Sequence, residues 1–181
     1  MKHDISIIRP QVIMADIKFR GIDIPRSRLK SIKNALKQDL DKQQMSRDGM
    51  DIALCTITYF NDNRVRLRFS AANRPLWLFK KSKNEIVDYK PDKVSIGGFT
   101  DYDFFFSTSE YWIDKGDIIY LFTDGYSDQF GGAKQKKYLT KRFRTFLSSI
   151  AHKDLASQNK LIQQEMEQWK GDEEQVDDLL V

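Results

Sequence analysis

A chain of 181 residues, 40% apolar and 31% charged, is long enough to bury one core of its own. Its net charge of +4 comes from 30 basic residues set among 26 acidic ones. That balance does not argue for nucleic acid, and no aromatic-rich basic stripe of the kind that stacks bases is present. No run approaches the roughly 18 apolar residues that span a bilayer. The apolar stretch within residues 1–14 is too short for a secretory signal. A soluble cytoplasmic protein without a membrane segment is the expectation. The single cysteine, Cys55, excludes an internal disulfide and any Cys₂ or Cys₄ metal site, and reads as a small core hydrophobe.

Residues 26–44 predict a helix. Pro25 precedes it, and Leu29, Ile32, Leu36 and Leu40 recur at helical spacing. Arg47-Asp48-Gly49 breaks the pattern. Residues 52–60 are rich in β-branched and aromatic side chains, and Asn61-Asp62-Asn63 makes a turn. Residues 64–70 then alternate strictly, with Val65, Leu67 and Phe69 on one face and Arg64, Arg66, Arg68 and Ser70 on the other. That pattern predicts a hairpin with one buried and one wet face. Short strands are expected at 75–79, 85–89 and 103–107.

Residues 117–123 hold the unalternating apolar run Ile118-Ile119-Tyr120-Leu121-Phe122, which predicts a central strand covered on both sides. Two helices should follow, one lined by Leu139, Phe143, Phe146, Leu147 and Ile150, the other by Leu155, Ile162, Met166 and Trp169. The basic stretch 134–144 reads either as a solvated face or as a docking patch for a phosphorylated partner. A last strand is expected at 176–181. The order predicts an α+β fold, with helices outside an antiparallel β-core.

Asp124 follows an apolar strand directly and precedes Gly125, a residue that lets the backbone turn away. Asp177 and Asp178 open the last apolar stretch. Carboxylates at strand ends offer the hard oxygen donors that Mg²⁺ or Mn²⁺ requires. Each feature alone is ordinary, since Asp-Gly is a common turn and paired aspartates are a common cap.

Phe122-Thr123-Asp124-Gly125-Tyr126 and Val176-Asp177-Asp178-Leu179 resemble two metal-site motifs of the protein phosphatase 2C type, in its SpoIIE-like branch. Further segments resemble that branch in the same order: Asp48-Gly49-Met50-Asp51, Ala72-Asn73-Arg74-Pro75, Lys90-Pro91-Asp92-Lys93 with Ile96-Gly97-Gly98, Gly125-Tyr126-Ser127-Asp128-Gln129-Phe130-Gly131-Gly132, and Trp169-Lys170-Gly171-Asp172 with Glu174-Gln175-Val176. The resemblance covers residues 21–181, leaving 1–20 as a divergent segment. It implies an antiparallel β-sandwich flanked by helices and a manganese or magnesium centre hydrolysing phosphoserine or phosphothreonine in signalling proteins. By the same match Asp124 and Asp177 are the carried-over metal ligands, and Asp178 holds the neighbouring non-ligating place.

The family's first metal motif, a stretch like Ala-Asp-Cys-Thr-Gly-His-Gly, has no match. Its aspartate bridges both metals. His3 and His152 are the only histidines, and neither stands in such a setting. Asp16 is the nearest substitute, but the following residues align with later parts of the family, which puts Asp16 near the end of a helix. The expectations are therefore missing N-terminal strands, an exposed sheet edge open to self-association, and little activity in the chain alone. A catalytically dead module that binds a phosphorylated protein or a regulator is the competing reading, and a purely structural remnant is a third.

Overall fold

A computed structural model describes residues 11–19, 49–62, 64–97 and 104–181. The helix expected at 26–44 lies outside the described residues. The chain divides into two compact units, residues 1–75 with 90–113, and residues 76–89 with 114–181.

The first unit is built on β1 (Gln11–Phe19), β2 (Gly49–Tyr59), β3 (Val65–Ala72), β6 (Ile96–Gly97) and β7 (Ser109–Ile113). The strands run β1-β2-β3-β7, with β6 against the start of β2. The expected hairpin forms between β2 and β3, from Ala53 opposite Ala71 to Tyr59 opposite Val65. Ile52, Ala53, Leu54 and Cys55 are each 1% exposed, so β2 is covered on both faces. Burial pushes the Cys55 thiol up to about 12, and it stays a protonated core group.

Alternation in β3 holds from Arg66 to Phe69, with Leu67 and Phe69 buried, and ends at Ser70, which was expected on the wet face but is 1% exposed and donates to the Ser107 carbonyl. The other face of β3 is drier than expected, because Arg66 and Arg68 lie half-covered on either side of Glu110 in β7 and pair with it.

Strand β1 runs parallel to β2 and places Asp16 opposite Thr56. Asp16 therefore stands in a strand and not at the end of a helix. The strand expected at 103–107 is displaced to β7. Ser107 donates its amide to the Asp92 carboxylate at 2.7 Å and leaves the ladder, so pairing with β3 begins at Ser109 opposite Phe69.

One buried polar node gathers the motifs of this unit. Asp51 Oδ1 accepts from Asn73 Nδ2 and Ser95 Oγ, both at 2.8 Å, and its Oδ2 accepts from Arg74 at 3.3 Å. Gly49 permits β6 to close on this node, since a Cβ there would lie 2.7 Å from that of Ser95. The order of these motifs along the chain thus reflects a shared structural node.

The second unit holds β5 (Glu85–Tyr89), β4 (Leu76–Lys80) and β8 (Ile118–Leu121), paired in that order and antiparallel throughout. Strand β8 is thus at an edge of this sheet and β4 is central. Only Tyr120 of β8 is buried, so its apolar run marks one covered face and not two. Helices α1 (Gly125–Asp128), α2 (Thr140–Ile150) and α3 (Leu155–Lys170) follow, with the ribbon β9 (Phe130–Gly131) and β10 (Lys136–Lys137) between the first two.

Helices and sheet share an aromatic core. Trp77 meets Phe122 at 4.3 Å between ring centroids, and Tyr126 stacks on Phe143 at 4.2 Å. Phe143, Leu147 and Ile150 line α2 and Met166 lines α3 as expected, while Leu139 and Leu155 are 59% and 67% exposed. Each of those leucines stands at a helix start, where no preceding turn folds it inward. The architecture is α+β, antiparallel sheets with helices, as read from the sequence; among the described strands the β1–β2 pair runs parallel.

Charge pairing finishes the sheet ends. Asp117 is buried, which works against its charge, but Lys80 at 2.7 Å and the amides of Asp114 and Lys81 outweigh that and hold its carboxyl below the usual range. On the opposite edge the Arg144 guanidinium donates to the outward carbonyl of Ile86 in β5, covering a group that would otherwise invite another strand. Among the described residues no helix is long and apolar enough to cross a membrane.

The end of α3 is seated on the β9 turn. A Cβ on Gly131 would lie 1.9 Å from the Trp169 carbonyl oxygen, and the Gly132 amide donates to that oxygen at 2.8 Å. Gly131→Ala should cost about 3 kcal/mol in urea unfolding, because backbone stands in the way. Gly171→Ala, at φ +54 and ψ −125 with nothing within 4 Å, should cost about 2 kcal/mol through backbone strain alone.

Candidate metal centre

Beyond the end of β8, Phe122 and Thr123 are both buried, and Asp124 then becomes the N-cap of α1 with φ −75 and ψ −14. Gly125 has a second role beyond the expected turn. A Cβ there would lie 2.4 Å from the Asp178 carbonyl oxygen and 3.3 Å from the Asp177 carbonyl carbon. The backbone of Asp177 and Asp178 is therefore pressed onto the residue that follows Asp124. Only glycine admits an approach this close.

Thr123 locks the same contact from the other side. Its hydroxyl donates to the Asp178 carbonyl at 2.7 Å and accepts from the Leu180 amide at 3.2 Å. Its own amide donates to the Leu180 carbonyl at 3.1 Å. These bonds explain why the strand expected at 176–181 does not form. The Leu180 amide goes to a side-chain oxygen instead of a backbone carbonyl, so no ladder continues. Residues 176–181 run without regular structure along the end of β8.

The chain segments that carry Asp124 and Asp177 are thus in backbone contact in the second unit. Asp124 and Asp177 are half-buried and Asp178 is exposed. The Asp177 carboxylate accepts from the Asp178 amide at 2.7 Å, which fixes its direction locally. Asp128, one turn on, is paired with Lys137 at 3.3 Å.

In the basic stretch 134–144, Lys134, Lys136 and Lys141 are exposed, while two arginines are engaged within the fold. Arg142 stacks on Trp169 at 4.1 Å and Tyr138 at 4.6 Å and pairs with Glu165 at 3.0 Å, while Arg144 caps β5. Among the described residues no group of three or more His, Cys, Asp or Glu gathers to hold a metal. Two carboxylates suit one hydrated Mn²⁺ or Mg²⁺ whose other positions are filled by water. They do not suit a two-metal centre by themselves.

The sequence profile described as Stage II sporulation protein E (SpoIIE) matches residues 11–181. The chain belongs to the SpoIIE family. Its fold is similar to the SiaA-PP2C domain of Pseudomonas aeruginosa, with a TM-score of 0.54 and 24% identity over 63% of this chain and 43% of that one. The chain therefore spans less than half of that relative. It is also similar to the phosphatase domain of the cell-fate determinant SpoIIE from Bacillus subtilis, determined after a manganese presoak. The TM-score there is 0.50, with 12% identity over 88% of this chain and 71% of that one. No curated protein sequence matches the chain. SpoIIE-family domains are metal-dependent phosphatase domains, and the match takes in both aspartate motifs as well as β1.

Sequence reasoning singled out the acids but missed the groups that hold them. Thr123 and Gln129 are uncharged, and each sits inside a quoted motif without any chemical reactivity to single it out. No local pattern marks them, since each stands next to an aspartate, Thr123 before Asp124 and Gln129 after Asp128. Thr123→Val keeps the shape and deletes both hydroxyl bonds, so it should destabilise the chain by about 2 kcal/mol in chemical unfolding. It should also speed proton exchange at the Leu180 amide.

Proposed function

We propose that this SpoIIE-family chain is a serine/threonine protein phosphatase domain of signalling, weakly active alone, in which Asp124 and Asp177 hold one hydrated Mn²⁺ or Mg²⁺. The observation that supports the reading is the seating of the Asp177 and Asp178 backbone on Gly125, the residue after Asp124. A bound cation would polarise a phosphoryl oxygen and ease deprotonation of a bound water. The chain's own part is to present carboxylate oxygens from two directions, one at the end of β8 and one on the last segment. The substrate class is a phosphoserine or phosphothreonine side chain of a partner protein.

Low turnover follows from charge. Two divalent ions a few ångströms apart need a bridging carboxylate to offset their repulsion. The described residues gather no third acid around the pair. The same observation favours a second reading, in which the domain binds a phosphorylated protein or a regulator and hydrolyses nothing.

The two readings separate in one set of measurements. Mn²⁺ should raise the melting temperature, with about 2.7 kcal/mol of added stability when its concentration is about 100 times Kd. Asp124→Asn should remove that shift. A phosphoserine peptide should be hydrolysed slowly, and only with Mn²⁺ present. A chain that binds the peptide tightly, with no Mn²⁺ shift and no phosphate release, would instead be the binding module. Rapid turnover lost in Asp124→Asn would mean that a further carboxylate completes the centre.

A further inference from the structure

Gln129 is 0% exposed and stands between α1 and β9. Its carboxamide nitrogen donates to the Glu174 carbonyl at 2.8 Å and to the Phe130 carbonyl at 3.1 Å. Its carboxamide oxygen accepts from the Val176 amide at 3.2 Å. The backbone of Gln129 is anchored as firmly. Its amide donates to the Gly125 carbonyl at 3.0 Å, and its carbonyl accepts from the Tyr138 amide at 2.9 Å and the Trp169 indole at 3.1 Å.

One residue is thus bonded on one side to Gly125, the neighbour of Asp124, and on the other to Val176, the neighbour of Asp177. Residues 174–181 have no helix or strand of their own. Their position depends on bonds of this kind, and a buried carboxamide with donor and acceptor both engaged has one favoured orientation. No charge and no exposed surface at Gln129 suggests a ligand; its partners are backbone groups on either side of the two aspartates.

We propose that Gln129 is the positioning residue of the Asp124–Asp177 pair, holding Asp177 at the distance from Asp124 at which one cation can engage both. The proposal rests on the cation reading above. Without the Gln129 bonds the last segment would sample many positions. Apparent cation affinity would then fall with the fraction of time the segment is seated.

The test uses two variants of the full chain. Gln129→Met removes the carboxamide at similar length. Val176→Pro removes the amide that Gln129 accepts from and constrains the backbone at 175 and 176, at a residue that is 52% exposed, and so leaves the core intact should the first variant fold poorly. Mn²⁺ affinity is read by water-proton relaxation, segment order by amide exchange at Asp178 and Leu180, and folding by thermal melting. Both variants should bind Mn²⁺ about tenfold more weakly, as expected for losing a buried hydrogen bond. Both should exchange faster at Asp178 and Leu180. Asp124→Asn should abolish Mn²⁺ binding with exchange at those amides unchanged. A folded Val176→Pro chain with parental affinity overturns the proposal, even if its melting temperature falls, because that is the signature of a purely structural bond. A parent chain that binds no Mn²⁺ overturns the cation reading and the proposal together.

Discussion

The close approach of the Asp178 carbonyl to Gly125 is the contact on which the arrangement of the candidate centre depends. It holds only if three things coincide. Position 125 must lack a side chain, the Thr123 hydroxyl must be free to take both an acceptor and a donor from the last segment, and Gln129 must hold that segment further back. None of these groups is charged. The segments that carry the two aspartates are thus held together by neutral hydrogen bonds and by steric room. Two acids brought near one another oppose the contact in the absence of a cation. That opposition is the physical reason to expect the fold and the cation to be linked.

Much of the fold was legible in the residues. Alternation through 64–70 marked the β2–β3 hairpin, and helical spacing at Phe143, Leu147 and Ile150 marked α2. One error arose because burial on one side looks in sequence like burial on two. The Ile118 to Phe122 run suggested a central strand, yet Trp77 and Leu78 of β4 occupy the centre and β8 lies beside them. The last strand failed for another reason. Its apolar residues predicted pairing, but the Thr123 side chain intercepted the bond that would have made a ladder. Strand β1 was missed because Asp16 and Lys18 interrupt its apolar pattern, and parallel pairing with β2 cannot be read from a local signal.

The site was legible in its acids and opaque in its supports. Motif resemblance pointed to Asp124 and Asp177, and the backbone contact brings their chain segments together. It also pointed to Asn73, Arg74 and Asp92, and these have a different use in the first unit. Asn73 and Arg74 bond the buried Asp51 carboxylate, and Asp92 receives the Ser107 amide and organises the approach to β7. A motif string therefore mixes residues that hold chemistry with residues that hold the fold. Only hydrogen-bond partners separate the two.

The account's central claim is that one divalent cation sits between Asp124 and Asp177, and paramagnetic NMR tests it most directly. Substoichiometric Mn²⁺ broadens the amide signals of nuclei near its binding place. The account predicts that the Gly125 and Asp178 signals broaden first and together, well before those of β2 or α2. Uniform broadening, or early loss confined to residues outside 123–129 and 174–181, would contradict it.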